Sequence, residues 1–178
     1  MTLRLTNAEI VSFLIGTIIN PILTTNGYTD TPVISSHQNG PEPVADDIYL
    51  VVEYAGSKTI KGKPRYISEY QEETPITDSY FNRYNISDNE ISIDITEENG
   101  EGELLGLIID SLYQRDIKEL FKSNQIALMR IGDIIPAPEL LDNRWVKRSV
   151  LEIILGIASA TLEEIESIET VQFSGTVE

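Results

Sequence analysis

Residues 90–96, Glu-Ile-Ser-Ile-Asp-Ile-Thr, alternate polar and apolar side chains without a break. Successive strand side chains point to opposite faces, so Ile91, Ile93 and Ile95 share one face and the polar residues take the other. A sheet with one apolar face needs a covering layer, and two segments have the spacing to supply it. Thr6-Asn7-Ala8-Glu9 has the spacing of a capping box, followed by Ile10, Phe13, Leu14 and Ile18 on one helical face. Asn20-Pro21 is expected to stop that pattern, because proline disfavours helical backbone in the residue before it, which predicts a helix over 7–20. A second helix is predicted over about 102–122, from Leu104, Leu105, Ile108, Ile109 and Leu112, with Glu101 and Glu103 near the positive end of its dipole. Its phase slips around 113–116, where it is expected to bend or break in two.

The other segments read as strands and connections. Residues 48–54 are rich in β-branched and aromatic side chains and suit a central strand covered on both faces. Residues 33–34 suit a short extended segment, 65–70 the arm of a hairpin and 126–131 a short strand, whereas 80–85 are ambiguous. A long extended stretch over 144–160 puts Arg148, Val150, Glu152 and Ile154 on one side and Ser149, Leu151, Ile153 and Leu155 on the other, before a final strand near 165–173. The order predicts an α+β fold: a mainly antiparallel β-sheet with an N-terminal helix and a central helix packed on one face. The length suits a single domain over 1–178, with mobile loops expected near 21–32, 72–79 and 96–103.

Composition narrows the function. With 29 acidic against 13 basic residues the formal charge is −16, which repels phosphate backbones and argues against a nucleic-acid reader. The absence of cysteine removes thiolate catalysis, zinc–thiolate sites and disulfides. The apolar runs near 10–19 and 150–160 are interrupted by polar residues, so no membrane span or signal peptide is expected and no membrane partner.

A search for chemistry finds no catalytic, cofactor-binding or metal site. His37, the sole histidine, sits in a polar loop beside Ser35 and Ser36, without the Gly-x-Ser-x-Gly context that would make a nucleophile of either. Gly56-Ser57-Lys58-Thr59 lacks the upstream glycine of a phosphate loop and reads as a hairpin turn. The acidic run over 97–101 lacks the ligand order of a calcium loop and reads as a solvated face.

Interaction features are clearer. Lys58, Lys61, Lys63, Arg65, Lys147 and Arg148 are six of the 13 basic residues, and would form a positive patch if the hairpin folds back. They serve either to guard a hairpin edge or to dock an acidic partner, such as the next copy of the chain. Trp145, the only tryptophan, is either a core residue, the commoner role, or an interface anchor. Asn39-Gly40 permits a turn, and Pro41 and Pro43 hold a rigid approach to the 48–54 strand. Glu42, Asp46 and Asp47 are then surface groups available to a neighbour.

Gln38, Asn39, Pro41 and Pro43 ahead of a strand, with Trp145 and Arg148 ahead of a late long strand, resemble the bacteriophage neck and tail terminator family. The order of segments follows the family over most of the chain. Val146, where the family pattern suggests an acidic residue, and the acidic loop at 96–103 depart from it. The resemblance implies a non-enzymatic virion protein, assembled in the host cytoplasm. It would form a ring with itself, as a hexamer, at the head-proximal end of the tail. There it would end tail-tube polymerisation and meet tail tube, sheath and head–tail connector proteins, while genomic DNA passes the bore without specific binding. Two other readings stay open: a tail completion or adaptor protein of different stoichiometry, and a small hydrolase or sugar-binding domain with an acidic cleft.

Overall fold

The computed structural model describes residues 5–36, 47–59, 65–71, 80–141 and 143–166. The chain divides into two compact units, one of Met1–Arg4, Lys61–Ser87 and Ser159–Glu178, the other of Leu5–Ile60 and Asp88–Ala158. In the first, strand β3 (Arg65–Gln71) pairs antiparallel with the opening of strand β4 (Tyr80–Glu98), Arg65 opposite Ile86 and Gln71 opposite Tyr80. The ambiguous 80–85 segment is therefore strand.

The second unit opens on helix α1 (Asn7–Thr25). Its capping box forms as the spacing predicts: Glu9 N–H donates to Thr6 Oγ1 at 3.3 Å, and Thr6 N–H donates to Glu9 Oε2 at 2.7 Å. The expected stop at Asn20-Pro21 does not occur. Leu14–Ile19 is wound as a π-helix, and Asn20 N–H reaches back five residues to the Ile15 carbonyl. Pro21 thus falls in the first turn of a new α segment, Asn20–Thr25, where its missing N–H breaks no regular α ladder. Because the helix runs past the proline, its 19 residues are long and apolar enough to cross a membrane by length and composition. Here Ile10, Val11, Leu14, Ile18, Ile19, Ile22 and Leu23 are instead buried in the protein core.

Strands β1 (Val33–Ser35), β2 (Tyr49–Thr59), β4, β8 (Arg148–Glu166) and β5 (Ile126–Pro136) lie side by side in that order. The β1–β2 pair is parallel; β2–β4 and β5–β8 are antiparallel. A separate two-stranded ladder joins β6 (Glu139–Leu141) to β7 (Arg144–Val146).

Side-chain alternation decides which face meets the helices. Leu50 and Val52 of β2, Ile91, Ile93 and Ile95 of β4, and Leu151, Ile153, Leu155 and Ile157 of β8 are all buried. Leu104, Leu105, Ile108 and Leu112 of helix α2 (Glu103–Leu112) join them in one core with α1. The predicted central strand is covered on one face only, since Glu53 is exposed between buried Val52 and half-buried Tyr54. The central place in the sheet belongs to β4, whose clean alternation already marks a one-sided strand. The predicted break near 113–116 is real: α2 ends at Leu112 and helix α3 (Arg115–Ser123) begins at Arg115, with Phe121 stacked edge-on to Phe13 of α1. Gly56 to Thr59 is strand, not turn, because β2 absorbs a register irregularity between Tyr54 and Gly56 and continues to Thr59. The 126–131 strand extends to Pro136 through two such irregularities, and the strand expected at 165–173 lies outside the described residues beyond Glu166.

Candidate functional site

The acidic run at the end of β4 organises one corner of the second unit. Successive strand residues face opposite ways, so Glu97 points into the protein and Glu98 away from it. Glu97 is only 1 % exposed, and its carboxylate accepts three backbone hydrogen bonds: Gly102 N–H to Oε1 at 3.0 Å, and Leu104 and Leu105 N–H to Oε2 at 2.9 and 3.1 Å. The first amides of a helix have no partner within it, and Gly102, at the cap position with φ of +92°, has no side chain to offer them. The carboxylate comes instead from five residues upstream. This corrects the solvated-face reading for Glu97, which is a buried helix cap, and Asn99, at φ of +61°, makes the turn that lets the chain fold back.

Around that cap the termini of several strands are tied together. Asn99 N–H donates to the Lys147 carbonyl at 2.8 Å, and its side-chain amide donates to the Asp47 carbonyl at 2.9 Å. Lys147 Nζ donates to Glu101, whose carboxyl is held below its ordinary range first by that hydrogen bond and then by the lysine charge. Arg148 Nη1 donates to Glu139 Oε2 at 3.1 Å. Arg148 Nε lies 2.9 Å from Glu98 Oε1, an ion-pair distance, yet its buried N–H is turned off that line and makes no hydrogen bond. Burial raises the Glu98 pKa, the Arg148 charge opposes this, and the Glu139 charge adds to the rise. The net shift is upward because the ion pair does not offset desolvation.

Trp145 stands on this corner and is 69 % exposed, so it is not a core residue. It faces Leu140 across the β6–β7 ladder, and Leu140 is also exposed. With Asn99, Arg144, Val146 and Lys147 it lines a shallow pocket of about 230 Å³. A tryptophan and a leucine side by side in solvent form an apolar spot with cationic flanks, chemistry suited to a protein partner.

The corner therefore brings together Asp47, Trp145, Lys147 and Arg148. It does not bring Lys58 to them. Lys58 lies opposite Glu90, at the far end of the β2–β4 ladder from Glu98, roughly 25 Å along the strand. Arg65 opens β3 in the other unit, and Glu42, Asp46, Lys61, Lys63 and His37 lie outside the described residues. Glu97 and Glu98 read from the sequence as a solvated face, and nothing there singles out Glu139 or Leu140. Asn99-Gly100 directly after a strand was a signal for the turn, but which carboxylate turned inward depended on where the strand ended.

On the sheet face away from the helices a row of carboxylates crosses three strands: Glu53 opposite Asp94, and Glu152 beyond. Ser92 Oγ donates to Glu152 at 2.8 Å, and Arg130 pairs with it at 2.8 Å. The Asp94 pKa is raised first by burial, then by the Glu152 and Glu53 charges. A raised acid favours the folded state only when protonated, so its cost is present above the folded pKa and fades as pH falls toward the ordinary value of 3.8. Asp94→Asn is expected to stabilise the protein by a few tenths of a kcal/mol at neutral pH, the scale of a like-charge cross-strand pair. Urea melts should show that gain shrinking on acidification; a gain that grows instead would contradict the assignment. Among the described residues no cluster of three His, Cys, Asp or Glu side chains could hold a metal ion.

The sequence matches the family model of the phage neck terminator protein over residues 7–178. The chain belongs to that family. Its role is accordingly that of a structural component of the phage neck. No curated protein matches the chain. The match spans both compact units, so the corner around Trp145 and the β3–β4 ladder are parts of one neck protein.

Proposed function

We propose that copies of this chain close into a sixfold ring at the head-proximal end of the tail, where the ring ends tube polymerisation and joins the tail to the head connector. Membership of the neck terminator family is the observation that carries this reading. Ring closure needs heterologous surfaces on each subunit, and the exposed Trp145–Leu140 pair is a suitable anchor for one docking contact. The candidate contact residues are Asp47, Trp145, Lys147 and Arg148 at the corner, with Glu42, Asp46, Lys58, Lys61, Lys63 and Arg65 on other segments. The partners are other copies, the tail tube, a sheath protein and the connector. The protein performs no catalysis and assembles in the host cytoplasm. The Glu53–Asp94–Glu152 row is suited to a bore that repels DNA and lets it slide; a bore wall found to be mainly Lys and Arg would refute that part.

Negative-stain images of the purified protein and of isolated tails are expected to show uniform rings, one per tail end. A single copy per tail would favour an adaptor instead. Trp145→Ala is expected to weaken docking by about thirtyfold, the scale of an interface hot spot. As the only tryptophan, Trp145 also reports directly. Its emission should move to the blue on assembly, and an unchanged spectrum in a formed ring would remove it from the interface.

A further inference from the structure

Among the described residues, the two outer strands of the second unit's sheet differ in the charge around them. At one edge lies β1, beside helix α1; residues 5–57 contain no lysine or arginine, and of their carboxylates Glu9 lies on α1 and Asp30 just ahead of β1. Val11, Ile15, Val33 and Tyr54 line a groove of about 660 Å³ there, with no charged residue among its walls. At the other edge lies β5, beside α3, where a groove of about 700 Å³ is lined by Tyr113, Phe121, Met129, Lys118 and Lys122, and by no carboxylate. Lys118 sits 5.6 Å from the centre of the Tyr113 ring, and neither it nor Lys122 has an ion-pair partner among the described residues. Tyr113 and Met129 are 61 % and 54 % exposed.

From this asymmetry we infer that the cationic, apolar α3–β5 groove of one copy docks the acidic α1–β1 edge of the next. Copies carrying −16 each repel one another. A contact between them needs its positive charge concentrated where they touch, and this groove has two lysines, unpaired among the described residues, set among apolar side chains. The contact is heterologous, as closed rings require. It proceeds through side chains, because the register irregularities of β5 between Leu128 and Arg130 and between Ile131 and Ile134 interrupt its outer edge for continuous strand addition. The inference rests on the reading that copies form a ring, and names the surfaces that close it.

Charge swaps test it. Lys118 and Lys122 are exposed, as is Asp30, so their substitution should leave the thermal unfolding curve unchanged. The K118E/K122E double variant is expected to weaken self-association about a hundredfold or more, measured by sedimentation at low salt. D30K should weaken it less. Mixing the two variants offers one wild-type junction and one charge-reversed junction per pair, so alternating rings should form from the mixture, as they should from K118E/K122E/D30K alone. If wild-type rings form and K118E/K122E forms them equally well, the inference is overturned and the ring stands. If K118E/K122E fails to assemble while D30K has no effect alone and no rescue in the triple variant, the groove binds something other than the α1–β1 edge, which also overturns it. If the wild-type protein forms no ring in solution or on tails, the ring reading falls first.

Discussion

Glu97→Ala is expected to lower the free energy of unfolding by about 4 kcal/mol, because three buried backbone amides lose their acceptor at once and each unsatisfied donor costs about 1–3 kcal/mol. A solvent-exposed helix cap is worth about 1 kcal/mol, so the excess measures burial. Against a total of roughly 5–15 kcal/mol for a domain, the loss brings the fold close to its limit. The effect reaches the core because α2, whose N-terminus Glu97 holds, supplies Leu104, Leu105, Ile108 and Leu112. Glu97→Gln should fall between, near about 2 kcal/mol, since one oxygen still accepts while the new amide faces an N–H donor. Urea unfolding followed by circular dichroism measures both. If Ala and Gln each stay within about 0.5 kcal/mol of wild type, as surface substitutions do, the carboxylate is not the cap.

Gly100→Ala should reproduce much of that loss without touching the carboxylate. A Cβ at residue 100 would overlap Glu97 Oε1 and stand 2.6 Å from its Cδ. The tip of a glutamate ordinarily moves aside at little cost, but this one is held by three hydrogen bonds, so moving it releases the amides. A cost of about 3 kcal/mol follows from at least one stranded donor plus overpacking. The decisive measurement is the double-mutant cycle. Once Glu97 is alanine the clash is gone, so Gly100→Ala should cost little more, giving a coupling of about 2 kcal/mol or above. Additive losses would mean that Gly100 matters for another reason. Gly102→Ala is the control: its penalty comes from φ of +92° and a contact of 2.9 Å to Ile134 Cγ2, and should persist in part without Glu97.

Much of the second unit is legible in the sequence. The Thr6–Glu9 capping box, the inward isoleucines of β4, the split of Ser149, Leu151, Ile153 and Leu155 from Val150, Glu152 and Ile154, and the break after Leu112 are local patterns. Each depends on a period of 2 or 3.6 within one segment, and the core only rewards what the pattern already offers. The differences fall where the winding of the preceding turns or a distant neighbour changes the outcome. Pro21 is tolerated because the preceding turns widen into a π-helix. Residues 48–54 look buried on both sides, but among the described residues helices cover one face of the sheet and leave Glu53 exposed on the other.

The candidate site shows the same division. Trp145, Lys147, Arg148 and Asp47 could be named from residue type and position, yet nothing local placed Trp145 in solvent instead of the core. The sequence by itself determined the strand and helix periods, the excess of negative charge and the family motifs, because each is a property of neighbours along the chain. Only the tertiary structure decided that Glu97 turns inward while Glu98 meets Arg148, and that Lys58 stands a strand's length from Lys147 and Arg148. Those outcomes depend on where a strand stops and which helix end lies beyond it. Burial then turns one carboxylate of an acidic run into a helix cap, sets the next against Arg148 and leaves Glu101 at the surface.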